Sequence, residues 1–242
     1  MKSKREKNMI EAEWWEYDDI DEMAEAAAGD IGFIIESALD ARGQALIALP
    51  GGKTPEPVYA RLARTKLNWK NVTIIPTDDR LVPITDPLSN AAMIAKTFLP
   101  KGARVLPITT EKAADYRMAG KAADARLQEL HWPIDLVVLG VGADGHTASI
   151  FPGPDLDEAL NGPKTRRALG VMPEPLPPEA PVARVTLSRA AIVSARAIMM
   201  VLTGQPKRDM LERAISDGAS STTPIGRVLA EADQAIDIHW SA

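Results

Sequence analysis

Four short apolar runs do most to limit what this chain can fold into: Ala45–Leu49, Val72–Pro76, Asp135–Leu139 and Ala197–Leu202. Each is rich in Val, Ile and Leu and is bounded by Gly, Pro or Asp. A strand with one wet face alternates apolar and polar residues. A continuous apolar run instead needs both faces covered, as in a parallel sheet. Helical patterns fill the intervals. In Asp19–Ala41 the residues Ile20, Met23, Ala27, Ile31, Ile34 and Ala38 recur at helical spacing, with Asp18 or Asp19 as cap. A second helix is expected from near Thr54, with Pro55 at the favoured first position and Val58 and Leu62 facing inward. Further helices are expected over Ser89–Leu99, Glu111–Leu130 and about Lys207–Ser216. Strands alternating with helices predict an α/β fold: a mostly parallel, Rossmann-like sheet with helices on both faces.

Length and composition narrow this further. At 242 residues, with 45% apolar and 25% charged side chains, the chain has the make-up of an ordered globular protein. No internal repeat is visible, and Met172–Val182, with five prolines and two glutamates, reads as a surface loop. One domain over residues 10–240 is expected, with residues 1–9 a flexible N-terminal segment. The absence of cysteine excludes disulfides, thiolate metal sites and a cysteine nucleophile. A net charge of −5 gives no footprint of a nucleic-acid binder and no affinity for an anionic membrane. No apolar stretch follows the basic N-terminus, and no window approaches a membrane span of about 20 apolar residues. A cytoplasmic protein, monomeric or weakly homo-oligomeric, is expected.

Two motifs mislead. Gly140-Val-Gly-Ala-Asp-Gly145 matches the dinucleotide fingerprint G-x-G-x-x-G and follows a strand. That fingerprint must also open a helix and be followed, about 20 positions on, by an acidic residue. Here Pro152, Gly153 and Pro154 interrupt, and Lys164–Leu169 holds Arg166 and Arg167 but no carboxylate. Gly52-Lys53-Thr54 resembles the end of a P-loop, but Ile47 stands where its first glycine belongs.

Several loops after strands carry groups with chemistry, and in open α/β sheets ligands bind at those carboxyl ends. Gly51 and Gly52 allow close backbone approach, Lys53 adds a cation and Thr54 a hydroxyl, before a helix start. That suits a phosphate monoester; an ordinary tight turn is the plain alternative. Asp78 and Asp79 repel unless a cation such as Arg80 or a proton intervenes; by itself the segment reads as a solvated turn. Capping explains Ser89 and Asn90. Of three histidines, His131 sits near a helix end, His239 lies near the disorder-prone terminus, and His146 lies in a glycine-rich loop. His146 is the candidate general base, with Asp144 to orient it or act itself; a loop histidine bonded to backbone is the alternative. Arg184 and Lys207 are candidates for a second anion contact, although either alone reads as a surface charge. His146, Asp144 and Asp78 make a poor metal set, so none is expected.

These segments resemble the short bacterial type of 6-phosphogluconolactonase, within the superfamily that includes glucosamine-6-phosphate deaminase. The family's Ser-Gly-Gly-Ser-Thr-Pro loop stands here as Pro50-Gly-Gly-Lys-Thr-Pro55. Its Asp-Glu-Arg-x-Val-Pro stands as Asp78-Asp-Arg-Leu-Val-Pro83, followed by Ser89-Asn90. Its Gly-x-Gly-x-Asp-Gly-His-x-Ala-Ser-Leu-Phe-Pro-Gly spans Gly140 to Gly153, with Ile150 for leucine. Its Arg-[Ile/Val]-Thr and Gly-x-x-Lys elements stand at Arg184–Thr186 and Gly204–Lys207. Pro50 and Lys53 replace serines, and Asp79 replaces glutamate.

The resemblance implies a cofactor-free hydrolase. It would open 6-phospho-D-glucono-1,5-lactone to 6-phosphogluconate in the oxidative pentose phosphate pathway. His146 would activate water. The phosphosugar lactone would be held by Gly51, Gly52, Lys53, Thr54, Asp78, Arg80, Arg184 and Lys207. A deaminase of the superfamily has Asp-Glu-Tyr in place of Asp78-Asp-Arg80. It has Phe-Asn-Glu-Pro in place of Ser149-Ile-Phe-Pro152, whose missing glutamate removes an acid/base group. A sugar-phosphate sensor that binds without turnover is the alternative from another class.

Overall fold

The computed structural model describes residues 10–110 and 115–242. Ten strands follow in chain order: β1 Ala12–Tyr17, β2 Ala45–Leu49, β3 Val72–Pro76, β4 Asp78–Arg80, β5 Arg104–Val105, β6 Leu136–Leu139, β7 Ala168–Val171, β8 Arg184–Leu187, β9 Ala197–Thr203 and β10 Ile236–Ser241. The helices are α1 Ile20–Arg42, α2 Glu56–Leu62, α3 Asn90–Phe98, α4 Tyr116–Leu127, α5 Leu156–Asn161, α6 Arg189–Val193, α7 Gln205–Asp217 and α8 Pro224–Leu229. Seven strands form one parallel sheet in the order β1-β10-β9-β6-β2-β3-β5. The other three form an antiparallel sheet, β4-β8-β7.

Side-chain alternation explains the unbroken apolar runs. On β2, Ile47 and Leu49 face one core with Leu136, Val138 and Met199, beneath α1, α2 and α3. Leu46 and Ala48 face the other, with Val137, Leu139 and Met200, beneath α4 through α8 and the small sheet. Both faces of the central strands are therefore dry, as the sequence predicts.

The helix starts follow their caps. Asp19 accepts from the Glu22 amide at 2.8 Å, Ser89 from Ala92 at 3.2 Å and Asp115 from Met118 at 2.8 Å. Asp115 places the start of α4 inside the expected Glu111–Leu130, whose residues 111–114 lie outside the described residues, as does the segment 1–9. Pro55 occupies the N-cap of α2, which starts at Glu56 and not at Thr54. No helix among the described residues is long and apolar enough to cross a membrane.

Two expectations are corrected. His239 is not near a frayed end: it lies in β10, paired on both sides, and is fully buried, with Nδ1 3.0 Å from the Tyr17 hydroxyl. Asp78–Arg80 is not a solvated turn but strand β4, with Asp78 and Asp79 buried. Cross-strand pairing covers what local polarity assigns to solvent.

The small sheet closes on α4 through two glycines. A β-carbon on Gly170 would stand 1.7 Å from the Tyr116 carbonyl oxygen, and one on Gly120 would stand 1.9 Å from the Gly170 nitrogen. Backbone meets backbone there, and no flexible side chain can give way. Gly170→Ala is expected to destabilise the fold by about 3 kcal/mol through overpacking. A denaturation midpoint equal to that of the wild type would show that α4 can slide off β7.

Candidate active site

A cleft of about 260 Å³ opens at the carboxyl ends of β2, β3, β6 and β9. Gly51, Gly52, Lys53, Thr54, Asp78, Arg80, His146, Arg184 and Lys207 all line it, joined by Asn90. The predicted residues are thus brought together, except that Asp144 stands behind His146 and does not line the cleft.

The His146 loop shows why the fingerprint was a decoy. After β6 the chain makes a turn, not a helix. The Gly142 amide donates to the His146 carbonyl at 2.9 Å, and Gly145 donates back to Gly142 at 3.0 Å. Gly145 takes the left-handed region, φ 78°. Gly142 must be glycine for a different reason: its β-carbon would stand 2.3 Å from His146 Nδ1. Asp144 Oδ1 lies 2.5 Å from that nitrogen and also accepts the His146 amide at 3.1 Å. Burial works to raise the Asp144 carboxyl, but the hydrogen bonds and charge of His146 outweigh it and hold the pKa below the ordinary value. An ionised acceptor at Nδ1 keeps the proton on that nitrogen and the lone pair on Nε2. Phe151 stacks on the ring, centroids 4.0 Å apart. The imidazole is held on one edge and one face.

The cationic wall comes from the small sheet. Register pairs Arg80 on β4 directly with Arg184 on β8. Like charges opposite each other destabilise a sheet. Both guanidinium groups also leave Nε buried without a hydrogen-bond partner. Arg184 is 3% exposed, which overturns its reading as a surface charge. Burial lowers its pKa; Asp78 opposes this and the Arg80 charge adds to it. Asp78 is occupied by the Ser149 hydroxyl at 2.6 Å. Arg80 does not pair with either aspartate through its guanidinium, as the sequence suggested. It donates to the Leu88 carbonyl at 3.0 Å and to Asn90 Oδ1 at 2.6 Å. Buried Arg184 and half-buried Arg80 line one cleft, each with a buried Nε donor left unused. Lys53 is exposed at one rim, and Lys207, in the first turn of α7, stands at the other.

Asp79 and Asn90 were not singled out as site residues. Asp79 is fully buried and accepts the amides of Asn90 at 2.7 Å, Arg80 at 2.9 Å and Ala91 at 3.1 Å. It ties β4 to the start of α3. Ser89 is the cap, which frees the Asn90 side chain for the cleft. Two acidic residues side by side were the available signal, since one of them needs a buried partner.

Burial raises Asp79 to about 6, against the lowering by the Asn90 and Ala91 amides, with the Asp78 charge adding to the rise. A raised carboxyl binds its proton more tightly folded than unfolded. Its stabilising contribution is therefore full below pH ~4 and is lost as pH rises through ~6. Relative to Asp79→Asn, the wild type is expected to lose up to about 3 kcal/mol between those limits. Denaturation midpoints for both proteins across that range check this; parallel curves would refute it.

The family model for glucosamine-6-phosphate isomerases and 6-phosphogluconolactonases matches residues 18–240. A 6-phosphogluconolactonase of Mesorhizobium japonicum is 35% identical over 234 residues, spanning 94% of each chain. The crystal structure of a 6-phosphogluconolactonase from Shewanella baltica superposes with a TM-score of 0.87 at 30% identity, over 97% of this chain and 100% of that one. A monomeric glucosamine-6-phosphate deaminase shares the fold at a TM-score of 0.77 and 19% identity, over 95% and 97% of the two chains. Sequence and fold agree, and the chain belongs to the glucosamine-6-phosphate isomerase/6-phosphogluconolactonase family.

Proposed function

We propose that the protein hydrolyses 6-phospho-D-glucono-1,5-lactone to 6-phosphogluconate without a cofactor, in the oxidative pentose phosphate pathway. One observation carries the reading. An imidazole backed by a carboxylate at 2.5 Å lines the same cleft as two guanidinium groups whose buried Nε donors are unused. The first part handles a proton and the second holds a dianion. His146 Nε2 takes a proton from water as the oxygen attacks the lactone carbonyl. The tetrahedral intermediate collapses with cleavage of the ring C–O bond. The departing ring oxygen takes the proton back from the imidazolium, and the new carboxylic acid loses its own proton to solvent. Asp144, ionised and on Nδ1, stabilises the imidazolium formed in between.

Arg80 and Arg184, with Lys207 and Lys53 at the rim, bind the phosphate. The Gly51–Thr54 backbone lies beside them. The held phosphate positions the carbonyl against the base. The lactone needs only a modest push, which suits a single general base. The relatives named above as 6-phosphogluconolactonases support this substrate, as does Arg80, which stands where a deaminase has tyrosine.

His146→Ala is expected to lower the catalysed rate by about 10²–10⁴-fold. KM for the phosphorylated lactone stays near wild type. Lactone disappearance, with the spontaneous rate subtracted, is the measurement. Full turnover by the variant would remove His146 as base. Tight binding without any acceleration by the wild type would favour the sensor, and ammonia release from glucosamine 6-phosphate would favour the deaminase.

A further inference from the structure

We infer that Asn90 is a positioning residue that sets the direction of the Arg80 guanidinium, and that Gly51 is glycine in order to admit it. The inference rests on the reading of the cleft as a phosphosugar lactonase site. Asn90 is the first residue of α3, anchored there by its amide on the Asp79 carboxylate at 2.7 Å. Its side chain then joins three segments. Nδ2 donates to the Asp78 carbonyl at 2.8 Å, and Oδ1 accepts from Arg80 at 2.6 Å. The same amide lies against the glycine loop so closely that a β-carbon on Gly51 would stand 1.9 Å from Oδ1.

The geometry divides the work on Arg80. One terminal nitrogen is tied down by Asn90 Oδ1 and the Leu88 carbonyl. Nε has no partner, although it is buried. A guanidinium fixed at one corner presents its remaining donors in one direction. A planar fork bonds phosphate oxygens well only when its plane is set. The Asp78 bond fixes which way the amide faces. Nδ2 is spent on a carbonyl, so only the oxygen can meet the arginine. Gly51 belongs to the same device: any larger residue there would push the amide away from Arg80. The requirement on Gly51 is therefore steric and comes from Asn90, since only Gly52 in this loop has a left-handed backbone.

Steady-state kinetics on 6-phosphogluconolactone and on unphosphorylated glucono-1,5-lactone test this. Asn90→Ala is expected to raise KM for the phosphorylated lactone roughly tenfold, as for loss of one charge-assisted contact. The kcat changes far less, and the KM penalty on the unphosphorylated lactone is much smaller. Inorganic phosphate weakens as a competitive inhibitor in parallel. Gly51→Ala gives the same signature. The double variant is expected to be no worse than Asn90→Ala alone, because the added methyl fills space the amide has left.

Where Asn90→Ala does not fold, Asn90→Asp keeps the volume and sets a carboxylate against the Asp78 carbonyl; KM is expected to rise again. Arg80→Ala separates the failures. If it raises KM for the phosphorylated lactone while the Asn90 variants do not, Asn90 has no positioning role. If it leaves that KM unchanged, the phosphate reading of the cleft falls, and the role of Asn90 with it. Losses at Gly51 and Asn90 that simply add would overturn the steric link between them. Equal KM penalties on both lactones would mark a structural role only.

Discussion

Thr77 joins the two sheets of this protein through its backbone alone. Its N–H donates to the Leu49 carbonyl at the end of β2, and its carbonyl accepts from Leu187 at the end of β8, at 3.0 and 2.9 Å. On one side of it the chain is β3 of the parallel sheet; on the other it is β4 of the antiparallel one. The cleft forms where that change of partner occurs. Parallel strands end there and expose the loops after β2 and β6. The small sheet rises beside them and presents Arg80 and Arg184. A shift of one residue at Thr77 would turn every side chain of β4 to the opposite face. Arg80 would leave the cleft, and Asp79, which belongs under α3, would enter it.

Register creates an electrostatic problem that the surroundings only partly solve. Arg80 and Arg184 face one another, and neither has a carboxylate as a hydrogen-bonded partner. Arg184 donates to the Ala180 carbonyl at 3.2 Å and lies over the Phe151 ring at 5.0 Å. Asp78 contributes charge to Arg184 from nearby, but its oxygens accept from the Ser149 and Thr77 hydroxyls. Full pairing with carboxylates would have neutralised both guanidinium charges. Unsatisfied buried donors cost stability, while behind them Asp79 ties β4 to α3 through three amides. The two adjacent aspartates thus do opposite things: one is spent on structure, and the other lies near the cations.

How much was legible in the sequence follows from what covers each residue. β2, β3, β6 and β9 could be read because both their faces are apolar and their runs are continuous. β10 was missed because Asp237 and His239 alternate with Ile236 and Ile238 in a strand that lies inside the sheet. β4 was missed because three charged residues in a row look like a turn, and only pairing with β8 buries them. Arg184 looked like a surface charge for the same reason. His146 and the glycine loop were found because glycine spacing and position after a strand are local signals. Local sequence explains Asn90 as a cap, which its neighbour Ser89 provides; its contacts reach Gly51 and Asp78, which no local pattern encodes.

The fold is shared with a deaminase, so the scaffold cannot decide the chemistry. The decision lies in what stands beside the histidine. Isomerising or deaminating a sugar phosphate moves protons at more than one carbon or heteroatom and calls for a second acid/base group. In this chain the residues after His146 are otherwise engaged. The Ser149 hydroxyl is given to Asp78, Ile150 is buried in the core, and Phe151 stacks on the imidazole. Asp144 is held on Nδ1, behind the ring and away from the cleft lining. Of the imidazole nitrogens, Nδ1 is the one held by Asp144. A histidine with Nδ1 on a carboxylate, in a cleft that Asp78, Lys53 and Lys207 also line, fits the proposed opening of a lactone by water, and Ser149–Pro152 offers no glutamate after it.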